Sequence, residues 1–138
     1  MTTIKRFEDL EIWQLARKLC KDIFELTLRE KFVKDYSLKD QIRASSGSIM
    51  DNIAEGFERG GNKEFKQFLS IAKGSSGETK SQLYRAFDRN YLNEDELNKY
   101  LEKIYQLAKK ISNMMSYLSH TSYKGQKFKD DNFIYEPE

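Results

Sequence analysis

The stretch Arg43–Glu78, RASSGSIMDNIAEGFERGGNKEFKQFLSIAKGSSGE, decides the fold. It reads as the second half of one helix, a glycine break at Gly60 and Gly61, and the first half of the next helix. Small residues crowd both arms: Ala44, Ser45, Ser46, Gly47 and Ser48 before the break, then Ala72, Gly74, Ser75, Ser76 and Gly77 after it. Each interior glycine costs a helix about 1 kcal/mol relative to alanine, so a close approach of backbones has to offset it. Two such arms joined by a tight break predict a helix hairpin. Ser45, Gly47, Ser48, Gly74, Ser76 and Gly77 are the candidates for contact between helices or between subunits.

Working outward, Ser37 and Asp40 have the S-x-x-D spacing of a capping box and predict a helix starting near Leu38. Its inner stripe is Leu38, Ile42, Ser45 or Ser46, Ile49, Ile53 and Gly56, with Met50, Ala54 and Phe57 as a second row. Beyond the break, Asn62 is the expected cap of a third helix with Glu64 in its first turn. Phe65, Phe68, Leu69, Ala72, Ser76, Thr79, Leu83 and Ala86 follow helical spacing there, bulky at both ends and small in the middle. Asn93 and Glu96 cap a fourth helix, in which Leu97, Leu101, Ile104, Ala108, Ile111, Met115 and Leu118 alternate four and three apart, the pattern of left-handed bundle packing. Upstream, a first helix is expected from Asp9 as cap to Lys31. Its buried face would carry Ile12, Ala16, Leu19, Ile23 and Leu26 beside a second row of Trp13, Cys20, Phe24 and Thr27.

The only proline is Pro137, so nothing before it carries the residue that most strongly stops a helix. Four helices of roughly 20 to 28 residues with short connections predict an all-α fold, an antiparallel up-down-up-down four-helix bundle. Residues 1–120 form this single domain, and 121–138 read as an extended or flexible tail.

A chain of 138 residues with 38% hydrophobic, 33% charged and 13% aromatic residues suits one globular domain with a heavily solvated surface. No apolar run reaches the length of a membrane span, and the N-terminus lacks a signal-peptide core, so no membrane partner and a cytoplasmic location are the expectation. The single cysteine, Cys20, has no second cysteine for a disulfide or metal site and reads as a small buried residue.

Catalytic patterns are missing. The one histidine, His120, stands at the end of the fourth helix and reads as a solvated helix-end residue; no serine sits in a nucleophile elbow. One histidine cannot supply the two Glu-x-x-His pairs of bundle di-iron sites. Gly56–Lys63, GFERGGNK, resembles a phosphate-binding loop only superficially, because Asn62 precedes the lysine, Glu64 replaces the magnesium-binding hydroxyl and no strand leads into it. The expectation is a protein that is not an enzyme and carries no metal or cofactor.

Charge offers more. With 24 basic and 22 acidic residues the net charge is only +2, yet Arg59, Lys63, Lys66, Lys73, Lys80, Arg85 and Arg89 face just Glu64, Glu78 and Asp88 between Arg59 and Tyr91. Lys66, Lys73 and Lys80 recur every seven residues, which keeps them on one helix face. A line of ammonium groups can track a phosphate backbone, and these seven residues are the nucleic-acid-binding candidates. The near-neutral total leaves a second reading open, a structural or protein-interaction module without nucleic acid.

At Phe7–Trp13 (FEDLEIW), Ser45–Ile49 (SSGSI), Asn52–Phe57 (NIAEGF), Lys63–Phe65, Phe68–Leu69 and Ala72–Ser75 the chain closely resembles one family. These are the four-helix-bundle proteins encoded by intervening sequences within bacterial 23S ribosomal RNA genes, related to the accessory variability determinant of diversity-generating retroelements. The resemblance spans about Phe7 to Leu118, and in place of a more apolar family pattern this chain has Ser76-Gly-Glu-Thr-Lys80. It implies a homopentameric ring of four-helix protomers and, from the accessory determinants, binding of RNA or DNA and of a reverse transcriptase through a positive surface.

Overall fold

The computed structural model describes residues 3–121, so the tail expected beyond Thr121 lies outside the described residues. Four helices, α1 (Glu11–Leu26), α2 (Tyr36–Glu58), α3 (Asn62–Asp88) and α4 (Glu94–Ser119), form a single-domain four-helix bundle. The α2–α3 hairpin is its most extensive contact, α1 packs on α2, α4 packs on α3, and α1 meets α4 more sparsely.

The helix ends show where local patterns lost to longer-range partners. Asp9 does not cap α1: it belongs to a short 3-10 turn, Phe7–Asp9, and the cap position is Leu10 with no side-chain bond. The first helix also stops at Leu26 instead of Lys31. Thr27 Oγ1 donates to the Phe24 carbonyl at 2.6 Å and accepts from Arg43 Nε at 2.8 Å. A second 3-10 turn, Phe32–Lys34, then places Phe32 fully in the core, where it stacks on Tyr91 at 4.7 Å.

At α2 the cap is Asp35, which accepts from the Leu38 amide at 3.3 Å, and Ser37 accepts from the Gln41 side chain at 3.0 Å instead. The predicted break is observed: α2 ends at Glu58 with Arg59 as its C-cap, and Gly60 adopts φ +84, the left-handed conformation that glycine takes most readily. Asn62 is not the cap of α3; Gly61 is, and the Asn62 amide reaches the Leu118 and Thr121 carbonyls at 3.4 and 3.3 Å. The Asn93–Glu96 capping box forms as expected, both bonds at 2.9 Å.

The predicted inner stripes of α2 and α3 are buried, apart from Phe68, which is half-buried. Gly56 lies at a close contact of α2 with α3, and a Cβ added there would stand 2.6 Å from Phe68 Cβ and 3.0 Å from Phe65 Cδ1. In α4 the most buried line is Ile104, Leu107, Ile111, Met114 and Leu118, while Leu101, Ala108 and Met115 are half-buried. The second row of α1 is the largest departure. Thr27 is buried, but Trp13 and Cys20 are only half-buried and Phe24 is exposed beneath the Arg43 guanidinium, 4.4 Å from its ring.

Ion pairs tie the helices laterally. Lys103 pairs with Asp22 at 3.1 Å and Lys110 with Glu11 at 3.0 Å, joining α4 to α1. Arg29, just past α1, forks onto both oxygens of Glu96 and also donates to the Tyr91 carbonyl at 3.1 Å. The Arg29 side chain, followed by the Asn93 amide, draws the Glu96 carboxyl from 4.5 down to about 2. A depressed folded value stabilises the fold fully above the ordinary value of 4.5, and that contribution is lost as pH falls towards 2. Glu96→Gln is therefore expected to cost about 1 kcal/mol at neutral pH, discounted for its surface position. In urea titrations the difference from the parent should shrink between those two pH values; a constant difference would contradict the pairing.

Candidate nucleic-acid interface

Helix α3 presents two different faces, and the sequence explains both. Toward α2 it turns Ser75, Thr79 and Gln82, small or hydrogen-bonding residues that let the backbones approach and then bond across the gap. Ser45 Oγ meets Thr79 Oγ1 at 2.8 Å and donates to Gln82 Oε1 at 2.6 Å, and Ser48 Oγ lies 2.9 Å from Ser75 Oγ. Burying hydroxyls is costly unless they are bonded, and here each finds a partner. Ser76 is also buried and bonds back to the Lys73 carbonyl at 2.6 Å. The polar segment Ser76–Lys80, where a more apolar pattern was expected, thus contributes Thr79 to a specific polar seam.

The glycines divide. Gly47 would place a Cβ 4.0 Å from Cys20 Sγ, an ordinary contact between α2 and α1. Gly74 and Gly77 are exposed, with no atom of the described residues within 4 Å of an added Cβ, so neither makes a contact between the described helices.

The outward face of α3 carries the basic residues, and the structure sorts the seven candidates into two groups. Arg59 pairs with Glu55 at 2.8 Å and lies over the Phe68 ring, Arg85 donates to Gln41 at 2.9 Å, and Arg89 pairs with Asp35 at 2.6 Å. These three arginines are engaged in holding the bundle. Lys63, Lys66, Lys73 and Lys80 have no hydrogen bond or ion pair to another described residue, with Lys63, Lys73 and Lys80 exposed and Lys66 half-buried. Lys66, Lys73 and Lys80 share a face as the seven-residue spacing requires. Lys63 and Lys66 line a shallow hollow at the start of α3, together with Gly61, Glu64, Leu118 and Ser119.

Tyr84 belongs to the same face, although no apolar or basic pattern of the sequence singles it out. It lies about five full turns beyond Lys66 at 3.6 residues per turn and is 44% exposed. The four-residue step from Lys80, which keeps a helical residue on the same face, reaches it.

His120 is exposed at the C-terminal end of α4. Among the described residues there is no group of three or more His, Cys, Asp or Glu placed to hold a metal ion, and no helix is long and apolar enough to cross a membrane.

No curated protein matches the chain. Residues 8–113 match the family described as 23S rRNA-intervening sequence protein, and this span holds all of α1, α2 and α3, most of α4 and every residue of the lysine row. The chain belongs to the 23S rRNA-intervening sequence protein family.

Proposed function

We propose that the protein is a non-enzymatic accessory protein that binds nucleic acid through the lysine face of α3 and works as a homo-oligomer, a pentameric ring in the cytoplasm. The observation that carries this reading is the row Lys66, Lys73 and Lys80, whose ammonium groups have no partner among the described residues while the neighbouring arginines are engaged with Glu55, Gln41 and Asp35. Unpaired cations in register on a rigid helix offer phosphates a charge array that needs no rearrangement, and a ring would repeat the array once per subunit. The kinship implied by the resemblance extends the reading to a reverse transcriptase as protein partner.

The test is titration of labelled RNA and DNA at low salt by fluorescence anisotropy. The variant Lys66→Glu/Lys73→Glu/Lys80→Glu should lose binding by at least about a hundredfold with its helical circular dichroism intact. Full binding by this variant would refute the reading. Capture of a protein partner that survives nuclease treatment, with no nucleic acid bound, would favour the protein-interaction module instead.

Assembly has a separate test. Gly74 and Gly77 face open space among the described residues, so Gly74→Leu should leave the four-helix fold intact and add helix propensity. If α3 meets a neighbouring subunit through this side, the same change lowers the mass seen by light scattering from five times 16.3 kDa towards that of the protomer. An unchanged pentamer would exclude Gly74 from the subunit contact.

A further inference from the structure

Building on the basic-face reading above, we propose that α3 takes single-stranded nucleic acid, its phosphates running along Lys66, Lys73 and Lys80 and one base stacking on Tyr84. The lysines stand about 10.5 Å apart along the helix axis, from seven residues at 1.5 Å each. Between them the same face carries Ser70 and Gly77, both exposed, and a Cβ at Gly77 would meet no atom of the described residues within 4 Å. The track between the ammonium groups is therefore low and free of bulky side chains. It ends at an aromatic ring.

That ring is available in a way that other exposed rings are not. Phe24 is covered by Arg43 at 4.4 Å and Tyr36 by Lys39 at 4.7 Å, so their faces are occupied from within the protein. Tyr84 has no cation over it, no ring against it and no hydrogen bond to its hydroxyl among the described residues; Tyr105, exposed likewise, lies on α4 and off the row. An aromatic left half in water gains the fold little, whereas a ring beside a cationic track is the pairing that binds unpaired bases. Duplexes keep their bases stacked inside and present no face to such a ring. The expected ligand is thus a single strand, bound with little sequence preference and with either sugar, since every base has a π-face.

The experiment compares labelled oligouridylate, oligothymidylate and a duplex of equal length by anisotropy at low salt. The proteins are the parent, Tyr84→Ala, Tyr84→Phe, Tyr36→Ala and the triple lysine-to-glutamate variant. The parent is expected to bind both single strands more tightly than the duplex, and Tyr84→Ala to weaken both single strands by at least about fivefold. Because no charge is removed, the salt dependence should stay as in the parent; Tyr84→Phe should restore affinity and Tyr36→Ala should not alter it. If Tyr84→Ala binds as the parent does while the lysine variant fails, the stacking proposal is overturned and the basic-face reading stands. If the duplex binds as tightly as the single strands, the proposal is likewise overturned. If the parent binds none of the three, both fall together.

Discussion

Gly56→Ala is expected to destabilise the protein by about 1 to 3 kcal/mol, the cost of overpacking a filled contact. The new methyl would stand 2.6 Å from Phe68 Cβ and 3.0 Å from Phe65 Cδ1, and Phe68 Cβ is fixed to the α3 backbone, so the helices themselves must part. Phe65 has little freedom either, because it is fully buried with its ring edge-on to Phe57 at 6.0 Å. The same substitution at Gly74, on the open side of α3, should change stability in the opposite direction by up to about 1 kcal/mol, since alanine is the better helix former. Urea midpoints of the two variants read the contrast directly. Stabilisation by both would mean that α2 and α3 do not approach as described.

Asp35→Ala should cost about 2 kcal/mol, more than an ordinary lost cap. Asp35 accepts from three directions: the Leu38 amide at 3.3 Å, Arg89 at 2.6 Å and the Tyr91 hydroxyl at 2.7 Å. It therefore starts α2 and at the same time fastens the α3–α4 connection, whose Tyr91 ring lies on Phe32. The Tyr91 hydroxyl bond, reinforced by Arg89 and the Leu38 amide against partial desolvation, holds the carboxyl below its usual range. The sign follows as for Glu96: this stabilisation is complete above the unfolded carboxyl value of about 3.9 and fades as pH falls through the folded one. Asp35→Asn retains the cap but not the charge, and should cost less than half as much as Asp35→Ala at neutral pH. Equal losses would shift the weight from the cap to the Arg89 pair.

The bundle was legible because its main determinants are local. Gly60 needs a left-handed residue, Asn93 and Glu96 satisfy each other three residues apart, and the buried stripes of α2 and α3, apolar at their ends and small or polar in the middle, keep helical spacing throughout. Errors arose where two local solutions competed and a distant partner chose. Asp35 and Ser37 both suit a cap, and Asp35 wins while also bonding Arg89 and Tyr91, more than fifty positions away. Asn62 leaves the cap position to Gly61 because its amide is used on the end of α4. α1 stops short because Thr27 bonds Arg43 and the following turn buries Phe32.

The basic face was half legible for a similar reason. Arg59 had its partner Glu55 one turn away, readable from the sequence, but the partners of Arg85 and Arg89 come from across the α2–α3 hairpin. Composition counts all seven cations alike, and only the fold separates those that bind the protein from those left facing water. Tyr84 escaped because an aromatic at helical spacing ordinarily belongs to a core, and its exposure is visible only once the bundle is assembled.

The salt dependence of binding tests the lysine face most directly. The logarithm of affinity falls with the logarithm of salt concentration by about 0.7 to 0.9 per neutralised phosphate. Replacing Lys66, Lys73 and Lys80 with alanine should therefore reduce the slope by about 2, while replacing the exposed Lys21, Lys31 and Lys34 elsewhere on the surface, for the same change in net charge, should leave it as in the parent. Equal slopes for the two triple variants, or no binding by the parent at low salt, would contradict a nucleic-acid interface on α3.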